Sequence, residues 1–409
     1  MGKKRMIQFL ISCMLVLTMG ITPMMEVKAD VVISEKEIKG DYDSAEPFVD
    51  GIAKVDKDGK TGCVDKNGKE LAKCKYTYIG DFIDGMARVV KNGKYGYINK
   101  NGKEVVKCKY DEAAPFSEGL AVIVKSGKCG YIDKTGKEVI KCQYKGANPF
   151  YDGLARVYKD GKWGFINKKG KEVIKRTYGG AWDFFEGLGR VMKNGKVGFV
   201  NKSGKEVVKC KYDFAWDFSE GLAVVEKDGK YGFVDKNGKE VVKCKYDDAR
   251  SFSEGMASVM KNGKYGCIDK KGKEIVKCKY DYIEQFSEGM AWVMKNGKYG
   301  FINKKGKEVA KCKYDYARSF SEGMAVVEKD DKYGFINKNG EEVIKCKYND
   351  ACDFSEGMAS VCQNFHYGYI DKDGNAGIDF QYDCCAARLS DGMSLVKKDG
   401  KWYILSIEN

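Results

Sequence analysis

Apolar and polar positions along this chain follow one pattern that returns throughout its length. The leading glycine of the pattern stands at 51, 85, 119, 153, 187, 221, 255, 289, 323 and 357, always 34 residues apart. A last step of 35 brings it to Gly392. Each unit holds three runs with period-2 alternation, the mark of strands with two distinct faces. In the copy that begins at Gly85, Ala87 and Val89 belong to the first run and Tyr95-Gly96-Tyr97-Ile98 to the second. In the third, Val106, Cys108 and Tyr110 share a face opposite Lys107 and Lys109. Two tight turns separate the runs, as at Asn92-Gly93 and Asn101-Gly102. Both read as type I′ hairpins, because Asn-Gly accepts positive φ at both central residues. Asp330-Asp331 and Asn364-Phe365 lack the glycine, and looser loops are expected there.

One unit has too few apolar side chains to bury a core by itself, so stacked neighbours must complete it. Three antiparallel strands leave the chain at the opposite end from where it entered. Either the linker, such as Asp248 to Glu254, crosses back as a fourth segment like that of a propeller blade, or successive units alternate in direction. Glu37 to Tyr42 reads as a stray third strand, and Gly392 to Ile407 as a stray first and second. Together they would complete an eleventh unit. Eleven exceeds the usual four to eight blades of a propeller. The expected fold is therefore all-β, with tandem three-stranded meanders in an elongated solenoid or superhelix, and a closed propeller-like ring is the alternative.

Residues 1–29 break the pattern. Lys3-Lys4-Arg5 precedes an apolar run from Met6 to Leu17, and Val27-Lys28-Ala29 offers small residues where a signal peptidase cuts. The run is shorter than the roughly 18–20 residues of a membrane span. A secretory signal peptide is expected over 1–29, and a repeat array over 30–409 with partial units at both ends. The product is then secreted, with association at the cell surface possible, and does not span a membrane after cleavage.

Composition narrows the chemistry. The whole chain carries a formal charge of +14, and residues 1–29 hold four positive and one negative side chain, leaving +11 for the rest. Lysine flanks nearly every turn, which reads as a solubilising surface with weak, non-specific attraction to polyanions and no specific nucleic-acid site. Eight of the sixteen cysteines occupy one repeat column, from Cys74 and Cys108 to Cys346, but Arg176 and Phe380 stand in the same column. A disulfide or zinc framework would lose partners there, so these are expected to be small buried, reduced hydrophobes. His366 is the only histidine, which removes most triads and metal sites. A carboxylate precedes every leading glycine, from Asp50 through Glu254 to Asp391, and reads as turn capping rather than calcium binding. No catalytic, cofactor or metal-binding residue is assigned.

The Tyr-Gly pairs, the Asn-Gly-Lys turns, Lys-Tyr-Asp and Phe-Ser-Glu-Gly together resemble the WG-repeat (KWG-repeat) family of bacterial proteins. The resemblance covers most of residues 37–403. The Trp-Gly pair itself survives only at Trp163-Gly164, and cysteine stands where family members often have proline before Lys-Tyr-Asp. The resemblance implies a β-rich repeat scaffold, usually without an assigned activity.

Two columns vary inside the fixed frame. One holds Gly80, Ala114, Asn148, Trp182, Trp216, Arg250, Glu284, Arg318 and Cys352. The other holds Lys54, Arg88, Val122, Arg156, Arg190, Val224, Ser258, Trp292, Val326 and Ser360. Positions free of structural duty are where a repeat protein can place recognition. Trp182, Trp216, Arg250, Trp292 and Arg318 are the candidate ligand-binding residues, with Trp182 and Trp216 expected side by side in neighbouring repeats. The expected function is non-catalytic binding of a protein or glycan at a bacterial envelope or host surface. The alternatives are a structural spacer or self-assembling surface protein, and a carbohydrate hydrolase with paired carboxylates.

Overall fold

The computed structural model describes residues 32–385 and 389–408. The expected leader, 1–29, lies outside them. The described chain forms eleven four-stranded antiparallel sheets. In the second sheet the strands are Tyr78–Ile83, Met86–Lys91, Lys94–Asn99 and Glu104–Tyr110, paired in that order. We call them the linker, first, second and third strands. The linker thus crosses back as a fourth strand, and the three-stranded meander is corrected to a propeller blade.

The first hairpin turn is type I′ as expected: Asn92 and Gly93 have φ of 52° and 72°. The second is not. Gly102 alone is left-handed there, at φ 73°, while the Asn99 carboxamide oxygen accepts the N–H groups of Asn101 and Lys103. An Asx-capped turn ending in a left-handed glycine shifts the register of the third strand, and a bulge follows. A third left-handed pair, Asp84-Gly85, joins the linker to the first strand, with φ of 56° and 80°.

Asp330-Asp331 and Asn364-Phe365 are not looser loops. Their φ angles of 54° and 57°, and of 50° and 67°, match those of the Asn-Gly turns, and the ladders run unbroken to Lys329↔Lys332 and Gln363↔His366. Strand pairing on both sides imposes the turn, and the side chains bear the strain. Phe365 is 87% exposed, so its ring gives little in return. Phe365→Gly is expected to raise stability by about 1 kcal/mol. A lower urea midpoint would show that the phenyl ring makes a contact worth more than the strain.

The bulge also accounts for the glycine of every Tyr-Gly pair. A Cβ on Gly96 would lie 2.5 Å from the Val106 carbonyl oxygen and 2.7 Å from the Cys108 nitrogen. The cysteine column is half-buried rather than buried, with Cys108 Sγ 4.0 Å from the Val89 carbonyl. Burial raises the pKa of the Cys108 thiol, and Glu104 adds to the shift.

The cores lie between blades. Met86, Tyr97, Val106 and Tyr110 of the second blade pack against Ala113, Phe116, Ala121, Ile123 and Ile132 of the third. Tyr97 meets Phe116 edge-on at 4.7 Å, and its hydroxyl donates to the Ala114 carbonyl at 2.6 Å. Polar residues of the repeat serve the same junction. Ser117 Oγ donates to the Phe150 carbonyl of the next blade at 2.6 Å. The Asp84 carboxylate accepts Gly119 N–H at 2.7 Å and Lys134 Nζ at 2.6 Å, both from the next blade. The repeated carboxylate is therefore a cap, but it caps its neighbour's turn rather than its own.

The ends meet. Val32–Glu37 pairs along its full length with Lys401–Glu408, supplying the outer edge of an eleventh sheet whose other strands are Met393–Lys398 and Cys384–Cys385. Met393, Leu395, Trp402 and Ile404 of that blade pack on Tyr42, Phe48, Ala53, Val55 and Val64 of the first. The closed ring, not the solenoid, is the architecture. The closing strand also lies earlier than Glu37 to Tyr42. Among the described residues no helix is long and apolar enough to cross a membrane.

Candidate ligand-binding site

The linker segment and the first strand of each blade carry the two variable columns. Their cationic members are not free of structural duty. Arg88 Nη1 donates to the Ala113 carbonyl of the next blade at 2.7 Å, and Arg156 Nη1 to that of Ala181 at 2.6 Å. Arg156 Nε also lies 3.1 Å from Asp183, and Arg190 repeats both contacts with Ala215 and, at 3.3 Å, Asp217. Burial holds the Asp183 and Asp217 carboxyls above their usual pKa, with the arginines opposing it. These arginines act as ties between blades.

Among the described residues no ring contact joins Trp182 to Trp216 directly. Trp182 is half-buried beneath the Arg190 guanidinium, 4.4 Å from its ring centroid. Arg190 also reaches over Phe214 at 5.9 Å, and Phe214 meets Trp216 edge-on at 5.2 Å. An arginine and a phenylalanine thus stand between the two tryptophans. Trp216 itself is 49% exposed.

Beside Trp216 opens a cleft of about 340 Å³, lined by Trp216, Asp248, Ala249, Arg250, Ser251 and Gln285. It crosses three consecutive linker strands, those of the sixth, seventh and eighth blades. Arg250 is held from behind. It donates to the Tyr282 hydroxyl at 2.5 Å and lies 4.6 Å over that ring. Tyr282 is stacked on Trp292 at 5.0 Å and 18°, and Trp292 packs on Tyr299 at 5.1 Å. The Tyr265 hydroxyl donates to Asp248 at 2.7 Å. A guanidinium and a carboxylate with fixed orientations therefore face a half-exposed indole across an open cleft.

Of the five candidates, Trp216 and Arg250 line this cleft, and Trp292 buttresses it through Tyr282. Trp182 belongs to the adjoining Arg190 stack. Arg318 stands away from the cleft, 3.9 Å from Asp353 of the tenth blade. Sequence reasoning missed Asp248, Ser251, Gln285, Tyr282 and Phe214. A third variable column was there to be read: Tyr78, Glu112, Gly146, Gly180, Phe214, Asp248, Tyr282 and Tyr316 recur at the repeat interval. Its aromatic members Tyr78, Phe214 and Tyr282 lie under Arg88, Arg190 and Arg250.

The profile of the WG-containing repeat matches eleven segments: 37–60, 62–95, 95–129, 130–163, 163–196, 198–231, 231–265, 265–299, 299–333, 333–364 and 367–402. No curated protein matches the chain. Among solved structures, a eukaryotic initiation factor is similar over 81% of this chain and 100% of its own, at 10% identity and a TM-score of 0.43. Hsv2p of Kluyveromyces lactis is similar over 54% of this chain and 89% of its own, at 10% identity and a TM-score of 0.30. PorZ, a surface component of the type-IX secretion system of Porphyromonas gingivalis, is similar over 88% and 68%, at 9% identity and a TM-score of 0.24.

Proposed function

We propose, for a chain that belongs to the WG-containing repeat family, an exported, non-catalytic scaffold that binds a glycan in the cleft of Trp216 and Arg250. The observation that carries this reading is the half-exposed indole of Trp216 beside the pinned Arg250 guanidinium. An exposed aromatic face suits the apolar side of a sugar ring, and it desolvates at low entropic cost. Arg250, Asp248 and Gln285 supply donors and acceptors for ring hydroxyls around it. Among the residues lining the cleft, Asp248 is the one carboxylate, whereas glycoside hydrolysis calls for two. The apolar leader over 1–29 supports export to the envelope or beyond, where such ligands are found.

Trp216→Ala separates recognition from packing. It is expected to weaken binding of envelope glycan fragments by at least about tenfold, or roughly 1.4 kcal/mol, while the melting temperature barely moves. Trp292→Ala should instead cost about 2–3 kcal/mol of stability, because its indole is half-buried between Tyr282 and Tyr299. Calorimetric titration and urea unfolding on both variants decide the matter. Unchanged glycan affinity in Trp216→Ala, or marked destabilisation by it, would overturn the reading.

A further inference from the structure

The lysines of this ring fall into two populations. Many of those in the turns pair with carboxylates. Lys94 pairs with Asp111 at 2.7 Å and Lys230 with Asp247 at 2.6 Å, and Lys196, Lys264 and Lys298 repeat the contact with Asp213, Asp281 and Asp315. Lysines of the second turn, such as Lys134 and Lys168, pair with the carboxylates that clasp adjacent blades. The third strands differ. There the bulged strand buries the face of Val106 and Tyr110 and turns Lys107 and Lys109 to solvent. The same two positions carry sixteen exposed lysines over the first nine blades, from Lys73 and Lys75 to Lys345 and Lys347. Among the described residues, Lys211 alone of these sixteen makes an ion pair, with Glu240 at 3.2 Å.

The third strands of the first nine blades hold these sixteen lysines together with nine glutamates, one at the start of each strand. Residues 30–409 carry +11, so removing these sixteen lysines leaves the remainder at −5. Much of the positive excess of the protein lies on one edge of its sheets. Several of these ammonium groups are held close to the strand, as Lys109, Lys245 and Lys279 lie 5.3, 5.2 and 5.0 Å over the tyrosine rings that follow them. Lysine on an edge strand also discourages edge-to-edge pairing of sheets. That duty needs charge of either sign, not a uniform and unneutralised row.

We propose that the third-strand edges form a continuous belt that binds a flexible linear polymer of repeating phosphate groups, wrapped along successive blades. Lysines two residues apart stand about 6.6–6.8 Å from one another along a strand; the pair recurs in seven of the first nine blades, and Lys141 and Lys175 stand singly in the other two. Every member is lysine, a point charge that suits phosphate, rather than arginine, whose fork selects planar bidentate partners. Flexibility is required because the blades follow a closed curve. Duplex DNA, with a persistence length of about 150 base pairs, would follow it only at a large bending cost. This belt is separate from the Trp216 cleft and stands or falls without it.

The test titrates the full mature chain with long-chain polyphosphate, poly(glycerol phosphate) and single-stranded oligothymidylate, which share the chemistry and distinguish its source. Poly-glutamate, duplex DNA and short oligophosphates serve as controls. At least one phosphate polymer is expected to bind with affinity that climbs with chain length, exceeding the short oligophosphate by about a hundredfold. The logarithm of the binding constant should fall with the logarithm of salt by about 0.7 per phosphate neutralised. Replacing Lys243, Lys245, Lys277 and Lys279 together by Gln should weaken that binding by about tenfold and shallow the salt slope by two to three. A matched variant of the paired lysines Lys94, Lys230, Lys264 and Lys298 should change it less than threefold. Equal losses in the two variants, equal affinity for poly-glutamate or for duplex DNA, or no dependence on chain length would overturn the proposal. So would light scattering that shows edge association in the first variant with its polymer affinity unchanged.

Discussion

A chain that lacks residues 32–38 is expected to lose the protection of its eleventh blade while the middle of the ring stays folded. The deletion removes the pairs from Val32↔Glu408 to Glu37↔Tyr403 and the hydrogen bond from Ile38 N–H to the Trp402 carbonyl at 2.9 Å. Ile38, 2% exposed, also leaves its cluster with Met393, Leu395, Trp402 and Ile404. About six ladder hydrogen bonds at roughly 0.5–1.5 kcal/mol each, and one buried isoleucine at roughly 1.5–3, amount to roughly 5 kcal/mol or more of local stability. Amides of Met393–Lys398 should exchange on the order of a thousandfold faster. Those of Leu222–Lys227, half the ring away, should hardly change, because each repeat contacts only its neighbours. The eleventh blade is the vulnerable one for a second reason. Carboxylate–lysine clasps join the first ten blades consecutively, from Asp50–Lys100 to Glu322–Lys372. Among the described residues, no hydrogen bond or ion pair joins Asp391 to Lys66 or Gly51 at the seam, and a cavity of about 720 Å³ lies there. Unaltered exchange in the truncated chain would mean that the seam closes without its strand.

Gly232→Ala is expected to be strongly destabilising. A Cβ at this position would stand 2.5 Å from the Val242 carbonyl oxygen and 2.7 Å from the Cys244 nitrogen. Both are backbone atoms of a bulged strand inside the ring, and neither can yield without breaking the Phe233↔Val242 and Val234↔Glu240 pairs. Overpacking of this kind costs about 3 kcal/mol, at the upper end of its usual range. Gly221→Ala is the matched comparison. Its φ is +84°, but nothing lies within 4 Å of the new Cβ, so it should cost only the roughly 1–2 kcal/mol of a left-handed L-residue. Urea unfolding of the two variants separates contact from conformation. Equal losses would assign the Tyr-Gly glycine to backbone freedom instead.

The two glycines illustrate how far the sequence could be read. Its repeat interval located both columns, and Asn-Gly at the first turn named the hairpin type correctly, because that preference is local to two residues. It could not tell that Asn101-Gly102 would form a different turn. That choice depends on Asn99, two residues upstream, accepting the backbone N–H groups of Asn101 and Lys103. Trp216 and Arg250 were legible as large side chains in a variable column. Asp248, Ser251 and Gln285 were not, since the cleft exists only where three linker strands converge.

By itself, then, the sequence determined the all-β class, the unit of 34 residues, the number of units, the family and the glycine, tyrosine and phenylalanine positions on which the units depend. Each of these follows from period, turn chemistry or the inability of one unit to bury its own core. Only the tertiary structure decided that the array closes. Closure rests on Val32–Glu37 meeting Lys401–Glu408, segments separated by nearly the whole chain, and on the accumulated rotation from blade to blade. A small rotation per repeat leaves no trace in any single repeat, yet over eleven of them it separates a superhelix from a ring.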